Sequence, residues 1–153
     1  MIRPATTADL AAIIALEREC REAGHWTDAQ YEALLRSGLS SHDAARRLVL
    51  VFDESGAVLG FLVAQHVTAE WELENIAVAP AARRRGVGRQ LIEELLKAAS
   101  ETHSESVFLE VRESNARARS LYEKAGFVES GCRKSYYSNP VEDAILLRRT
   151  IEK

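Results

Sequence analysis

Residues 75–97 read NIAVAPAARRRGVGRQLIEELLK. The segment opens as an apolar strand, Asn75-Ile76-Ala77-Val78, and is stopped by Pro80, which has no N–H to offer a ladder. Arg83, Arg84 and Arg85 follow, then Gly86-Val87-Gly88. Leu91, Ile92, Leu95, Leu96 and Ala99 then recur at helical spacing, with Arg89, Gln90, Glu93, Glu94 and Lys97 between them. A glycine loop feeding a helix leaves backbone N–H groups aimed outward at the positive end of the helix dipole. Glycine also lets a diphosphate approach without a Cβ in the way. The pattern predicts a diphosphate cradle at Gly86-Val87-Gly88, with the arginines adding a favourable field. The alternative is a basic turn capping an ordinary helix. The string differs from a dinucleotide-binding G-x-G-x-x-G and lacks the Lys-Ser/Thr of a P-loop, so both of those readings fall away.

Upstream, Ile2-Arg3 reads as a short strand ending at Pro4. Thr6-x-x-Asp9 offers a cap for a helix whose apolar face is Leu10, Ile13, Ile14 and Leu16. A second helix starts at Thr27, pairs with Gln30 and buries Tyr31, Leu34 and Leu35. The loop between them, Ala23-Gly24-His25-Trp26, is unusually aromatic. Leu48–Phe52 and Val58–Val67 form a hairpin, and Glu70–Val78 is the next strand. In that strand Trp71 and Leu73 are apolar at odd positions, whereas Ile76 and Val78 are apolar at even ones. Side chains alternate strictly along a regular strand, so the change of phase predicts a β-bulge at Glu74-Asn75. A central strand buried on both faces is the alternative. Glu70, Glu72 and Glu74 read as a solvated strand face, or else as an attraction for a cationic substrate.

Downstream of the helix, Ser106–Arg112 is a strand, Asn115 opens a helix that ends at Gly126, and Phe127–Tyr137 and Ala144–Thr150 are two last strands joined around Asn139-Pro140. The order is βααβββαβαββ, with antiparallel strands first. The later β-α-β-α-β crossovers predict parallel pairing. The fold class is mixed α/β: a six- to seven-stranded sheet, helices on both faces, splayed near the bulge. Residues 1–153 read as one domain.

Composition narrows the function. A net charge of −3 gives no electrostatic case for nucleic acid or an anionic membrane. No apolar run approaches the about 20 residues that span a bilayer. The start, MIRPATTADL, lacks a signal-peptide core, and Cys20 and Cys132 stand alone, so a reduced cytoplasm is the expected home. Cys20 and Cys132 have no metal-ligand spacing, and His25, His42, His66 and His103 form no cluster, so no metal is expected.

A second block completes the pattern: Leu109-Glu110-Val111-Arg112-Glu113-Ser114-Asn115, then Leu121-Tyr122-Glu123-Lys124-Ala125-Gly126-Phe127. Asn115, Ala118 and Tyr122 share one helix face, so an amide and a phenol would project along one ligand. Taken singly, Asn115 could be only an N-cap and Tyr122 only a core tyrosine. Glu110 lies between the apolar Leu109 and Val111 and needs solvent, an ion-pair partner or a raised pKa.

Arg83-x-x-Gly86-x-Gly88 resembles the signature of the GNAT superfamily of acyl-CoA-dependent N-acyltransferases. NIAV, RRRGVGR, LEVR-x-SN, LYE-x-x-GF and the late YY…EDAILL together resemble its RimI group, bacterial N-terminal acetyltransferases of a small-subunit ribosomal protein. Arg83 stands where close relatives often carry glutamine, which the general signature allows. The resemblance implies acetyl-CoA as co-substrate, with Ile76, Ala77 and Val78 holding the pantetheine arm and the acetyl carbonyl. It assigns the diphosphate to the segment from Arg84 to Arg89, and a further contact to Asn115. It makes Glu110 the general base and Tyr122 the general acid, with Glu74 a rival base. Trp26, Glu74, Tyr136 and Tyr137 would face the substrate, a protein N-terminus, possibly of a ribosomal protein. Tyr136 and Tyr137 could instead be simple sheet-face aromatics. A polyamine or other small amine, or a non-catalytic acyl-CoA sensor, are the alternatives, and the chain would be a monomer or homodimer. An α-amine has a reference pKa near 8 and lysine one near 10.4, so neutralising lysine at pH 7.5 costs about 3.5 kcal/mol more. A carboxylate base suits the N-terminus better.

Overall fold

The computed structural model describes residues 1–20, 26–37, 47–138 and 140–152. The strands are β1 Ile2–Pro4, β2 Arg47–Glu54, β3 Ala57–Val67, β4 Glu70–Val78, β5 Ser106–Arg112, β6 Val128–Tyr137 and β7 Glu142–Thr150. The helices are α1 Leu10–Glu19, α2 Asp28–Ser37, α3 Val87–Glu101 and α4 Ala116–Lys124. Single turns of 3-10 helix, Thr7–Asp9 and Pro80–Ala82, lead into α1 and the arginine loop. Ala23, Gly24, His25, His42 and Asn139 lie outside the described residues.

The seven strands form one sheet in the order β1-β2-β3-β4-β5-β7-β6. β1 to β4 pair antiparallel and β4 pairs parallel with β5. The second crossover departs from the expected parallel pairing. β7 inserts between β5 and β6 and runs antiparallel to both, so β5 and β6 point the same way without touching. The tight β6–β7 hairpin favours this, because a short loop can join only antiparallel neighbours.

The bulge lies where the phase change placed it. Val63 pairs with Asn75 and Ala64 with Leu73, which leaves Glu74 as the extra residue on β4. Trp71 and Leu73 therefore join the same core as α3, and Ile76 and Val78 pack against that core after the shift. Ala77 turns instead to the second core, formed by Ile13, Leu16, Tyr31, Leu34, Leu35, Phe61 and Val63 under α1 and α2. The sheet is thus clad on both faces. α3 carries Leu91, Ile92, Leu95 and Ala99 fully buried, the apolar stripe its spacing required.

Local signals also hold at the helix ends. Thr27 and Gln30 cap α2 reciprocally, at 2.7 and 3.1 Å. Gly126 closes α4 in the left-handed region at φ 91°. At the start of the chain, Asp9 accepts two bonds from Arg3, at 2.8 and 2.9 Å, and one from the Thr6 N–H at 2.8 Å.

The Arg3 bonds hold the Asp9 carboxyl below the usual range, against the opposing effect of its burial. A depressed folded pKa stabilises the protein above the unfolded value, near 3.9, and that contribution is lost as pH falls through the folded value. Asp9→Asn should therefore melt several degrees below the wild type at pH 7. The gap should close on acidification below about pH 4, which thermal unfolding followed by circular dichroism would show.

Candidate active site

β4 and β5 pair only at Glu70–Ser106, Trp71–Val107 and Glu72–Phe108. Past Glu72, β4 has a strand neighbour only on its β3 side, and the extra residue at Glu74 turns it away from β5. The sheet opens into a wedge between the two strands. Ile76, Ala77 and Val78 form one wall of a cleft of about 550 Å³. The opposite wall is the α4 face made by Asn115, Ala118, Leu121 and Tyr122, as the helical spacing predicts.

The floor of this cleft is the loop leading into α3. Arg84 and Gly86 both adopt left-handed backbone, at φ 65° and 79°. Only glycine does so without penalty, so Arg84 carries local strain. Successive N–H groups in such a turn converge on a concavity suited to an anion. Gly86 caps α3 without a side-chain bond, and the first turn holds no acidic residue to compete for its N–H groups. Gly88 allows the wall to come close: a Cβ there would lie 3.1 Å from Leu121 and 3.6 Å from Val78.

The structure brings Ile76, Ala77, Val78, Arg84, Gly86, Val87, Gly88, Arg89, Asn115 and Tyr122 to one cleft. Arg85 does not line it; its guanidinium is drawn to Glu54 at 2.7 Å. Asn115 lines the cleft, and its Oδ1 also caps α4 by accepting from Ala118 N at 3.2 Å. The cleft further includes Cys20, Arg83, Arg117 and Lys124, which the sequence reading did not place there. Arg117 and Lys124 are seven residues apart on α4, so helical spacing could have found them. Cys20 belongs to no motif; its thiol donates to Val78 O at 3.4 Å, beside the Arg83 Nε bond to the same carbonyl at 3.3 Å.

Trp26, Glu74, Glu110, Tyr136 and Tyr137 lie outside the cleft. Trp26 leans on Tyr31, with ring centroids 5.3 Å apart, and Arg47 lies over it at 5.7 Å. Arg47 also pairs with Glu74 at 3.2 Å. Glu110 pairs with Arg133 at 3.3 Å, the neighbouring-base arrangement open to it from sequence. Tyr136 and Tyr137 meet edge to face at 5.1 Å. The β4 glutamates are not the solvated row expected. Glu70 is held by Arg148 at 2.9 Å, and Glu72 and Glu74 are partly buried. Burial pushes the Glu72 carboxyl up, helped by the Glu110 charge, and burial also raises Glu74 against the pull of Arg47. Burial raises the Tyr122 hydroxyl too, with Tyr137 near enough to add to the effect, so Tyr122 stays protonated at neutral pH.

Residues 10–127 match the Acetyltransferase (GNAT) family. The chain is 34% identical over 143 residues to the [ribosomal protein bS18]-alanine N-acetyltransferase of Escherichia coli K12, covering 92% of this chain and 90% of that protein. The chain belongs to the GNAT acetyltransferase family. Its fold superimposes on the crystal structure of the ribosomal-protein-S18-alanine N-acetyltransferase from Escherichia coli with a TM-score of 0.81. That match has 31% identity and covers 100% of this chain and 94% of the other. The Ard1 structure from Thermoplasma volcanium gives a TM-score of 0.86 at 28% identity, over 100% and 98%.

GNAT acetyltransferases use acetyl-CoA as co-substrate. The chemistry of this cleft fits that ligand: left-handed turns and a bare helix N-terminus for phosphates, an apolar wall for the arm, and basic side chains around the rim. Gly88→Val would fill the cradle and push Leu121 into the cleft. Acetyl-CoA affinity, read by calorimetry, should fall roughly ten- to a hundredfold, the loss of one or two charge-assisted bonds, while the circular dichroism spectrum keeps its shape.

Proposed function

We propose that this chain is an acetyl-CoA-dependent transferase that moves an acetyl group to the α-amine of a protein N-terminus, with a ribosomal protein as its acceptor. One observation carries the reading: β4 and β5 part past Glu72, between the cleft lined by Ile76, Val78 and Tyr122 and the side chains of Glu72, Glu110 and Tyr137. The relatives named as alanine N-acetyltransferases support the acceptor class. The reading implies a cytoplasmic protein of one domain. No helix among the described residues is long and apolar enough to cross a membrane.

On this reading the acceptor enters from the side of Trp26, Tyr136 and Tyr137. Its ammonium loses a proton to Glu110, directly or through water. The nitrogen lone pair forms the new C–N bond as the C–S bond of the thioester breaks, and the Tyr122 hydroxyl protonates the leaving thiolate. The new amide nitrogen sheds its second proton to solvent, Tyr122 recovers its proton from solvent and Glu110 returns one to it, so one proton is released per turnover and the cycle closes. Backbone N–H groups at the end of β4 would steady the charge that grows on the carbonyl oxygen. Glu74 is the alternative base, favoured by its raised proton affinity, although its buried Oε1 lies 3.2 Å from Arg47.

Glu110→Gln should cut kcat about a hundredfold or more near neutral pH and leave acetyl-CoA affinity intact; a normal rate, with Glu74→Gln slow, would move the base to β4. Tyr122→Phe should slow thiol release by about tenfold or more with any acceptor, as loss of the acid requires. Free-thiol release with an alanine-initiated ribosomal-protein peptide, its N-blocked lysine analogue and a polyamine separates the acceptor classes. Release with the free N-terminus alone is expected, and polyamine preference would overturn the acceptor while keeping the cofactor.

A further inference from the structure

Arg133 sits on β6, the edge strand, opposite Ala144 of β7. Glu110 is on β5, at the other side of β7, opposite Leu146. The arginine reaches across at the level of Ala144, a fully buried residue too small to block it. Its Nη2 comes 3.3 Å from Oε1 of Glu110, and its guanidinium carbon lies 5.1 Å from the Tyr136 ring centroid. A carboxylate and an aromatic face together are what an alkylammonium ion seeks. Arg133 therefore holds the two partners that an incoming amine would need.

The neighbouring arginine behaves differently. Arg112 lies 4.3 Å over Tyr137 and is fixed by Glu142 at 3.1 Å and by two backbone carbonyls. The Arg133 side chain is 60% exposed, against 16% for that of Glu110, so it can swing into solvent without opening the core. The β6–β7 register breaks between Arg133 and Tyr137, and Ser135 takes a left-handed φ of 50°, so no regular ladder confines this stretch. Oε2 of Glu110 is buried and has no hydrogen-bond partner among the described residues. Around the wedge, Glu72, Glu74 and Glu110 face Arg47 and Arg133.

We propose that Arg133 is a built-in stand-in for the acceptor's ammonium group: it occupies the carboxylate and the Tyr136 face while the site is empty, and a cationic acceptor displaces it. This rests on the reading that Glu110 faces the acceptor amine. Such competition lowers apparent acceptor affinity by the fraction of molecules in which the arginine is in place. It also selects acceptors that arrive charged, and it delivers the ammonium directly to the group that must take its proton.

Arg133→Gln keeps most of the reach and loses the charge. The KM for an alanine-initiated peptide should fall about five- to tenfold, the combined strength of an exposed ion pair and a cation–π contact, with the KM for acetyl-CoA unmoved. Arg133→Lys, which keeps a competing cation, should retain most of the wild-type value. A structural prop would raise the acceptor KM in both variants, and that result would overturn the proposal. Displacement can also be read without turnover, from the Nε–Hε NMR resonance of Arg133, assigned by its loss in Arg133→Lys. Methylammonium chloride should shift it saturably in the wild type; an unmoved resonance would overturn displacement. A saturable shift in a protein that acetylates no peptide would uphold displacement and count against the transferase reading alone.

Discussion

One extra residue governs this molecule. Glu74 interrupts the β3–β4 ladder, and everything that distinguishes the sheet from a plain mixed sheet follows from it. The side-chain phase of β4 inverts at that point. Ile76 and Val78 are kept toward the α3 core, and Ala77 is sent to the α1/α2 core. The inversion bends β4 away from β5 just past Glu72. A flat, fully paired sheet would bury its central backbone groups in ladder bonds and leave no opening between the helical layers. The bulge converts the centre of the sheet, the most rigid place in such a fold, into the place where a ligand can enter.

Stability and function meet at the same spot, because the opening leaves carboxylates where strands would otherwise exclude them. Glu72 and Glu74 are raised by burial, and Arg47 pulls both back toward the ordinary range. Removing an arginine partner from a partly buried acid costs more than the pair gains, since the acid then stands alone. The cleft on the other side is the electrostatic opposite. The loop before α3 carries three arginines and no acidic side chain, and Arg84 adopts a left-handed conformation that L-residues avoid. An acid-lined surface and a basic cradle therefore sit back to back across one strand.

Much of this was legible in the sequence, because the informative residues act locally. Trp71, Leu73, Ile76 and Val78 register a phase change that only an inserted residue explains. Gly86 and Gly88 stand where a turn and a close helix contact need them. The spacing of Asn115 and Tyr122 puts both in the cleft. What escaped depends on long-range partners. Arg85 looks identical in sequence to Arg84, yet Glu54, on the far side of the molecule's chain order, takes it away from the cleft. The insertion of β7 between β5 and β6 is set by the β6–β7 hairpin, whereas the crossover pattern alone suggests direct pairing. The glutamates of β4 alternate like a solvated row, and only the arginines from β2, β6 and β7 reveal that they are held.

The separation of the two ligand surfaces also bears on how a transferase of this design avoids wasting its thioester. The cleft between β4 and α4 is closed on the α4 side by Tyr122, whose ring is buried against Phe127 at 5.9 Å and whose hydroxyl remains protonated. On the proposed reading, a nucleophile must come through the wedge from the opposite face, past the carboxylates. A cation is drawn toward the carboxylates of that passage, and bulk anions are repelled by them. Water hydrogen-bonds to those carboxylates but lacks the positive charge that an ammonium sets against both them and the Tyr136 face. Selection for an amine thus begins before chemistry, in the charge of the passage that the bulge at Glu74 creates.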